Sequence, residues 1–190
     1  MSKMSEFDVI TDPSGFYVPL FTPANGGLNR RGLMQKLGLP FSLAQSAVAA
    51  SVTGTVAETV LATIAIPAGA MGANGLLRIN TLWSMTSSAN VKTPRVRLGG
   101  ASGTEFYSQT HTTVVTLRQQ TEIMNRNSQA SQVGFPTIAG GGGWSTSAQS
   151  RTTGAIDTSA ETSLVISGQL ANSGETLTLE AYNVEVLYKE

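Results

Sequence analysis

The chain has 190 residues, 41% hydrophobic and only 13% charged, with 12 Lys plus Arg balancing 12 Asp plus Glu. That length suits one ordinary domain plus an accessory segment, with apolar residues enough for a core and about half the ~25% charge of a typical globular protein. Zero net charge offers no field for nucleic acid or an anionic membrane, and the absence of cysteine excludes a disulfide framework and a thiolate zinc site.

Residues 1–49 differ in character from the rest. Met1–Asp8 carries acids and no apolar run, so it does not read as a secretory signal. Asp12-Pro13-Ser14-Gly15 and Thr22-Pro23-Ala24-Asn25-Gly26-Gly27 are turn clusters. Between them lies the short aromatic segment Phe16–Phe21, in which Pro19 forbids a central strand. Leu28, Leu33, Met34 and Leu37 then fall near helical spacing, with Arg30, Arg31 and Lys36 between them; Gly32 weakens that helix, and Gly38 and Pro40 stop it. Three aromatics, two turns and one marginal helix cannot bury themselves. The segment therefore wraps over its own domain, docks as an arm on another subunit or protein, or is a disordered leader, which its sparse charge and its aromatics argue against. The expectation is an anchoring arm, with Phe16, Tyr17 and Phe21 as its contacts. The weakly polar run Leu43–Val52 is Ala/Ser-rich and far too short to span a membrane.

Residues 50–190 read as all-β, the antiparallel sandwich or barrel pattern of short strands with turns about every ten residues. Ala57–Ile66 alternates, with Val60, Ala62, Ile64 and Ile66 on one face. After the turn signal Asn74-Gly75, Leu77, Ile79, Thr81, Trp83 and Met85 share a face, opposite Leu76, Arg78, Asn80, Leu82 and Ser84. Both faces are partly apolar, which suits a sheet whose outer side is covered by a neighbour. Further strands are predicted at Arg95–Leu98, Glu105–Gln109, Thr113–Gln119, Glu122–Asn125, Thr162–Leu170 and Thr176–Tyr188. In the last, Leu177, Leu179 and Ala181 hold one phase and Val184, Val186 and Tyr188 the other, so a β-bulge is expected near Tyr182-Asn183.

Motifs that carry chemistry are missing. Gly140–Gly143 is followed by Trp144-Ser145-Thr146-Ser147, without the Lys-Ser/Thr of a phosphate loop. No Gly-x-Ser-x-Gly elbow occurs, and the single histidine, His111, has no recognisable nucleophile beside it. The acids are scattered with no calcium-loop spacing, and no acid pair for glycoside hydrolysis is singled out. The expectation is a non-enzyme with no catalytic residue, no metal and no cofactor. Arg95 and Arg97 share a strand face and are expected to pair with Glu105 or Glu122. Trp144 is read as an aromatic on a flexible loop. With Tyr107 and an amide-rich loop Gln119–Gln132 it would contact a neighbouring subunit or stack on a host-surface glycan.

The stretch from Glu58 to Leu187, with Arg95-Val96-Arg97-Leu98-Gly99-Gly100 at its centre and Thr162-Ser163-Leu164-Val165-Ile166-Ser167-Gly168-Gln169-Leu170 near its end, resembles a β-sandwich or jelly-roll domain common among tailed-phage virion proteins. The resemblance implies a head decoration, cement or fibre-type structural protein with a jelly-roll sandwich behind an N-terminal arm. It further implies a homotrimer, another virion protein as partner (above all the major capsid protein), and a place in the virion after assembly in the bacterial cytoplasm. Nucleic acid and membrane are not expected partners.

Overall fold

The computed structural model describes the backbone of Asp8–Thr11 and Tyr17–Leu20, and residues 39–135 and 150–190 in full. These contain antiparallel strands and no α-helix. The helix expected over 28–37 lies outside the described residues. β1 (Asp8–Thr11) and β2 (Tyr17–Leu20) form a two-stranded ladder pairing Thr11 with Tyr17. Both strands are edges there, so Pro19 is accommodated.

Two larger sheets share one apolar core. The first orders β11 (Thr152–Gly154), β10 (Gln132–Gly134), β9 (Thr116–Asn125), β6 (Leu76–Met85) and β13 (Thr176–Leu187), with β3 (Phe41–Ser46) and β4 (Ala50–Thr53) both paired to β13. The second orders β5 (Thr59–Ile66), β12 (Thr162–Leu170), β7 (Lys92–Leu98) and β8 (Thr104–Ser108). The pairs β7–β8, β6–β9, β5–β12 and β4–β13 each enclose the previous one in sequence. They are the nested rungs of one long hairpin, wound so that alternate rungs fall in different sheets; β10 and β11 are an excursion that widens the first sheet. Phe41–Ser46 thus belongs to the large sheet, ahead of the boundary expected at residue 49.

The core follows from strict alternation. Leu77, Ile79, Thr81, Trp83 and Met85 of β6 are all buried, as their phase requires, and pack with Leu177, Leu179, Val184 and Val186 of β13. From the small sheet come Ile64, Ile66, Val96, Leu98, Leu164 and Ile166. Trp83 satisfies its indole N–H by donating to Thr81 Oγ1 at 2.8 Å. The sheets approach closely at Gly168, where a Cβ would sit 2.9 Å from Leu177 and 3.2 Å from Val52.

Several strand details depart from the sequence pattern. In β5 the register to β12 slips between Ala62 and Val60, leaving Leu61 as an extra residue. Leu61 and Ala62 therefore pack on the core while Val60, expected inside, is exposed. In β13 the phase change is real, but the extra residue relative to β6 is Glu180, two positions before the one expected. Thr113–Gln119 and Glu122–Asn125 are not two strands: Thr116–Asn125 is continuous. Asn74-Gly75 closes no hairpin, because it lies on the crossover from β5 in one sheet to β6 in the other. Glycine is still needed there, since a Cβ on Gly75 would lie 1.8 Å from the Met71 carbonyl oxygen. Pro94 sits inside a central strand, where β8 has ended at Ser108 and the chain rejoins β7 only at the Lys92–His111 bridge, so the missing N–H falls at a gap in the ladder.

Candidate functional site

The outer face of the large sheet is a set of transverse rows fixed by register. Across β9, β6 and β13 the first row is Met124–Leu76–Leu187. Across β9, β6, β13 and β3 come Glu122–Arg78–Glu185–Ser42 and then Gln120–Asn80–Asn183–Gln45. Arg118–Leu82–Ala181 follows, and finally Thr116–Ser84–Thr178–Ser51, the last residue on β4. Leu82 is 40% and Met124 42% exposed. Arg78 is shared, with Nε 3.0 Å from Glu122 and Nη1 4.0 Å from Glu185. Gln120 donates to Glu122 at 3.2 Å and Asn183 to Glu185 at 3.1 Å.

The small sheet's outer face carries a closed charge ring. Arg97 donates from Nε and Nη2 to Glu58 at 3.1 and 3.2 Å, and its Nη2 lies 2.7 Å from Glu105. Arg95 reaches Glu105 at 3.2 Å and Glu58 at 3.6 Å. Ser167, fully buried beneath, donates to Glu58 at 2.6 Å. Burial alone would raise the Glu58 carboxyl, but the hydrogen bonds from Arg97 and Ser167 and the charges of Arg97 and Arg95 outweigh it and hold it below the ordinary value. Of the two acids expected beside the arginines, Glu105 is there and Glu122 is on the other sheet with Arg78. Glu58, 39 residues from Arg97, was not legible as a partner.

A second charged group is buried at one end of the sheets. Lys92 is 0% exposed; Nζ donates to Ser88 at 3.0 Å and lies 3.5 Å from Glu175. Glu175 also accepts from the Ser88 hydroxyl and from Asn90 Nδ2. The Ser88 and Asn90 hydrogen bonds, together with the Lys92 charge, outweigh burial and hold the Glu175 carboxyl low. A buried charge is tolerated only when paired in this way. The cluster ties the β6–β7 and β12–β13 connections together.

A buried amide clamp joins three further connections. Gln132 donates from Nε2 to Asn125 Oδ1 at 2.9 Å and to the Ile156 carbonyl at 2.9 Å, while its Oε1 accepts from the Ile156 N–H at 2.8 Å. Asn125 in turn donates to the Gly72 carbonyl at 2.6 Å and to Thr158 Oγ1 at 3.0 Å. The amide-rich stretch Gln119–Gln132 is therefore no displayed loop: its first half is strand, and Asn125 and Gln132 are interior.

Tyr107, expected as an interface or glycan contact, is 3% exposed and belongs to the core. Its β8 phase turns it inward opposite Val96, so it offers no platform. Burial pushes its phenol up, and its hydroxyl lies 3.4 Å from His111 Nε2. Burial also pushes the half-buried His111 imidazole down. Trp144, Phe16 and Phe21 lie outside the described residues. Tyr17 is described only as backbone in β2. Among the described residues no three His, Asp or Glu side chains group as a metal site, and no helix is long and apolar enough to cross a membrane.

No family model matches the chain, and no curated protein matches it. Among solved structures, the CBM2 module of the evolved Dit of Lactobacillus casei BL23 phage J-1 is similar at TM-score 0.34 and 10% identity, over 67% of this chain and 70% of that one. VP2 in the infectious bursal disease virus subviral particle is similar at TM-score 0.28 and 12% identity, over 80% of this chain and 41% of that one. At these scores neither assigns a fold family or a function.

Proposed function

We propose that the chain is an oligomeric structural protein of a tailed-phage virion, a decoration, cement or short-fibre component fastened to the particle, through the major capsid protein, by its N-terminal segment. The described domain is read as a jelly roll. The nested strand order supports this: β3/β4–β13–β6–β9 faces β5–β12–β7–β8, with each rung of the long hairpin passing to the other sheet.

The observation that carries the reading is the state of the charges on the outer faces. Arg95, Arg97 and Arg78 are closed against Glu58, Glu105, Glu122 and Glu185 of the same chain. What remains outward on the large sheet is amide, hydroxyl, the exposed Leu82 and Met124, and one further charge of each sign, Arg118 and the Glu180 carboxylate that accepts from Ser84. Such a surface carries little net charge and repels a copy of itself only weakly, which suits a protein present many times on one lattice. Symmetric repetition then multiplies a modest single-site affinity. The alternative, a host-glycan binder, loses Tyr107 to the core and rests on Trp144.

The test is immunogold labelling of virions purified from a lysate expressing the protein, with serum against residues 39–190. Label over the head is the expected result. Removal of residues 1–38, which leaves β3 in place, should give a folded protein that no longer binds particles. Virions carrying no label, or a truncated protein that still binds them, would refute the proposal.

A further inference from the structure

On the outer face of the large sheet, the paired positions of β6 and β13 are alike or complementary in kind; the bulge residue Glu180, whose carboxylate accepts from Ser84, lies outside that pairing. Their paired positions are Leu76 with Leu187, Arg78 with Glu185, Asn80 with Asn183, Leu82 with Ala181, and Ser84 with Thr178. One row extends the match across four strands, reading Gln120–Asn80–Asn183–Gln45, the same forwards and backwards. A face patterned in this way fits itself under a two-fold axis that runs along the strands between β6 and β13.

That operation lays β6 of one copy over β13 of the other and keeps each row in register. Leu76 meets the partner's Leu187, and Leu82 meets the partner's Ala181. Arg78 meets the partner's Glu185, and the reciprocal contact repeats it. The amide row meets its own copy, and every carboxamide brings both a donor and an acceptor. Among the described residues, Asn80 at the centre makes no side-chain hydrogen bond and Arg118 no ion pair. Two sheets packed face to face cross at about 30° because each is twisted. The match is therefore closest at the central amide row and loosens towards both ends, where the Leu76 and Ser84 rows lie.

We infer that this face is the self-association surface of the protein, and that its occupant is a second copy of the same chain related by that two-fold. The inference rests on the oligomeric reading above and makes it specific: the unit is a dimer, or a multiple of dimers, in place of the trimer that the sequence resemblance implies. The small sheet's ring, already closed within the chain, is left outward and free for other contacts.

The experiment is sedimentation of the full 190-residue chain across a dilution series, with three single variants. Leu82→Lys places a charge where Ala181 of the partner subunit packs, at a position exposed enough to leave folding alone. Glu185→Arg sets arginine against arginine across the axis. Thr63→Lys, on the exposed outer face of the small sheet, is the control. The wild type and Thr63→Lys should sediment as dimers. Leu82→Lys and Glu185→Arg should dissociate, with Kd raised about tenfold or more, while Leu82→Lys melts at the temperature of dissociated wild type. A monomeric wild type overturns the inference, as does a dimer indifferent to both variants. A trimeric wild type overturns it too, yet leaves the virion reading standing, because particle labelling decides that separately.

Discussion

Gln129 and Gln132 are three residues apart and chemically identical, yet the structure gives them opposite energetic roles. Replacing Gln132 with Met keeps the volume but strands three groups, the buried Asn125 Oδ1 and the part-buried Ile156 N–H and carbonyl. Each unsatisfied group costs about 1–3 kcal/mol. Allowing for local relaxation and an entering water, the lower end applies, about 3 kcal/mol in total. A domain of this size loses about 2–4 °C of melting temperature per kcal/mol. Gln132→Met should therefore melt roughly 6–12 °C below wild type by calorimetry. Gln129 offers the contrast. Its carbonyl oxygen accepts from Thr158, but its side-chain Oε1 is buried with no partner. Gln129→Met removes an unpaired polar atom, so it should melt at or slightly above the wild-type temperature. Equal losses in the two variants, or a Gln132→Met protein within about 2 °C of wild type, would refute the clamp.

Ile64 is 4% exposed in the row it forms with Leu164 and Leu98, and an aspartate there has no partner. The expected cost of about 4 kcal/mol or more is a large share of a total stability near 5–15 kcal/mol. Circular dichroism should show an unfolded or aggregated Ile64→Asp protein, and a wild-type melt would contradict the strand phase. Acid should destabilise the fold in two stages. His111, facing the Tyr107 hydroxyl, has its pKa depressed in the fold, so the unfolded chain takes up the proton first and stability falls as pH drops below about 6.5. Glu58 and Glu175 are also depressed; their contribution is whole above the ordinary carboxylate range and is lost as pH falls through their folded values. Melting temperature followed from neutral pH downward should fall throughout, and the first stage should vanish in His111→Gln. A melt that rises on acidification would overturn this account.

Strict alternation is the part of the fold that sequence carries well. β6 shows it best: five inward positions and five outward ones follow from period two alone, and β12 occupies Thr162–Leu170 as the pattern requires. A bulge is where that rule loses its footing. The phase reversal in β13 is visible in its apolar residues, but the extra residue is Glu180, and nothing local distinguishes it from Tyr182. In β5 the slip at Leu61 sits among residues that all look apolar, so Val60 reads as core although it is not. Buried polar groups are harder still. Asn125, Gln132 and Lys92 look like surface residues in sequence, and each is interior only because partners from distant connections converge on it. Lys92 needs Glu175, and Gln132 needs the backbone of Ile156. Those meetings are products of the wound hairpin and leave no trace in spacing. Tyr107 fails in the opposite sense: next to Phe106 it falls in the outward phase of a simple alternation, and the register shift opposite Val96 and Arg97 turns both rings inward.

The low charge read from composition takes on a different meaning once the pairs are placed. A chain with few charges could leave them scattered for solubility. This one concentrates several of them into two paired groups, one on each outer face: Arg95 and Arg97 balance Glu58 and Glu105 on the small sheet, and Arg78 is shared by Glu122 and Glu185 on the large. Partly exposed pairs of this kind add little stability. Their effect is on encounter: a face of little net charge only weakly steers a partner in from a distance and only weakly repels an identical copy. What then selects the partner is short-range fit among amides, hydroxyls and small apolar groups. A row that reads the same in both directions, such as Gln120–Asn80–Asn183–Gln45, selects its own copy.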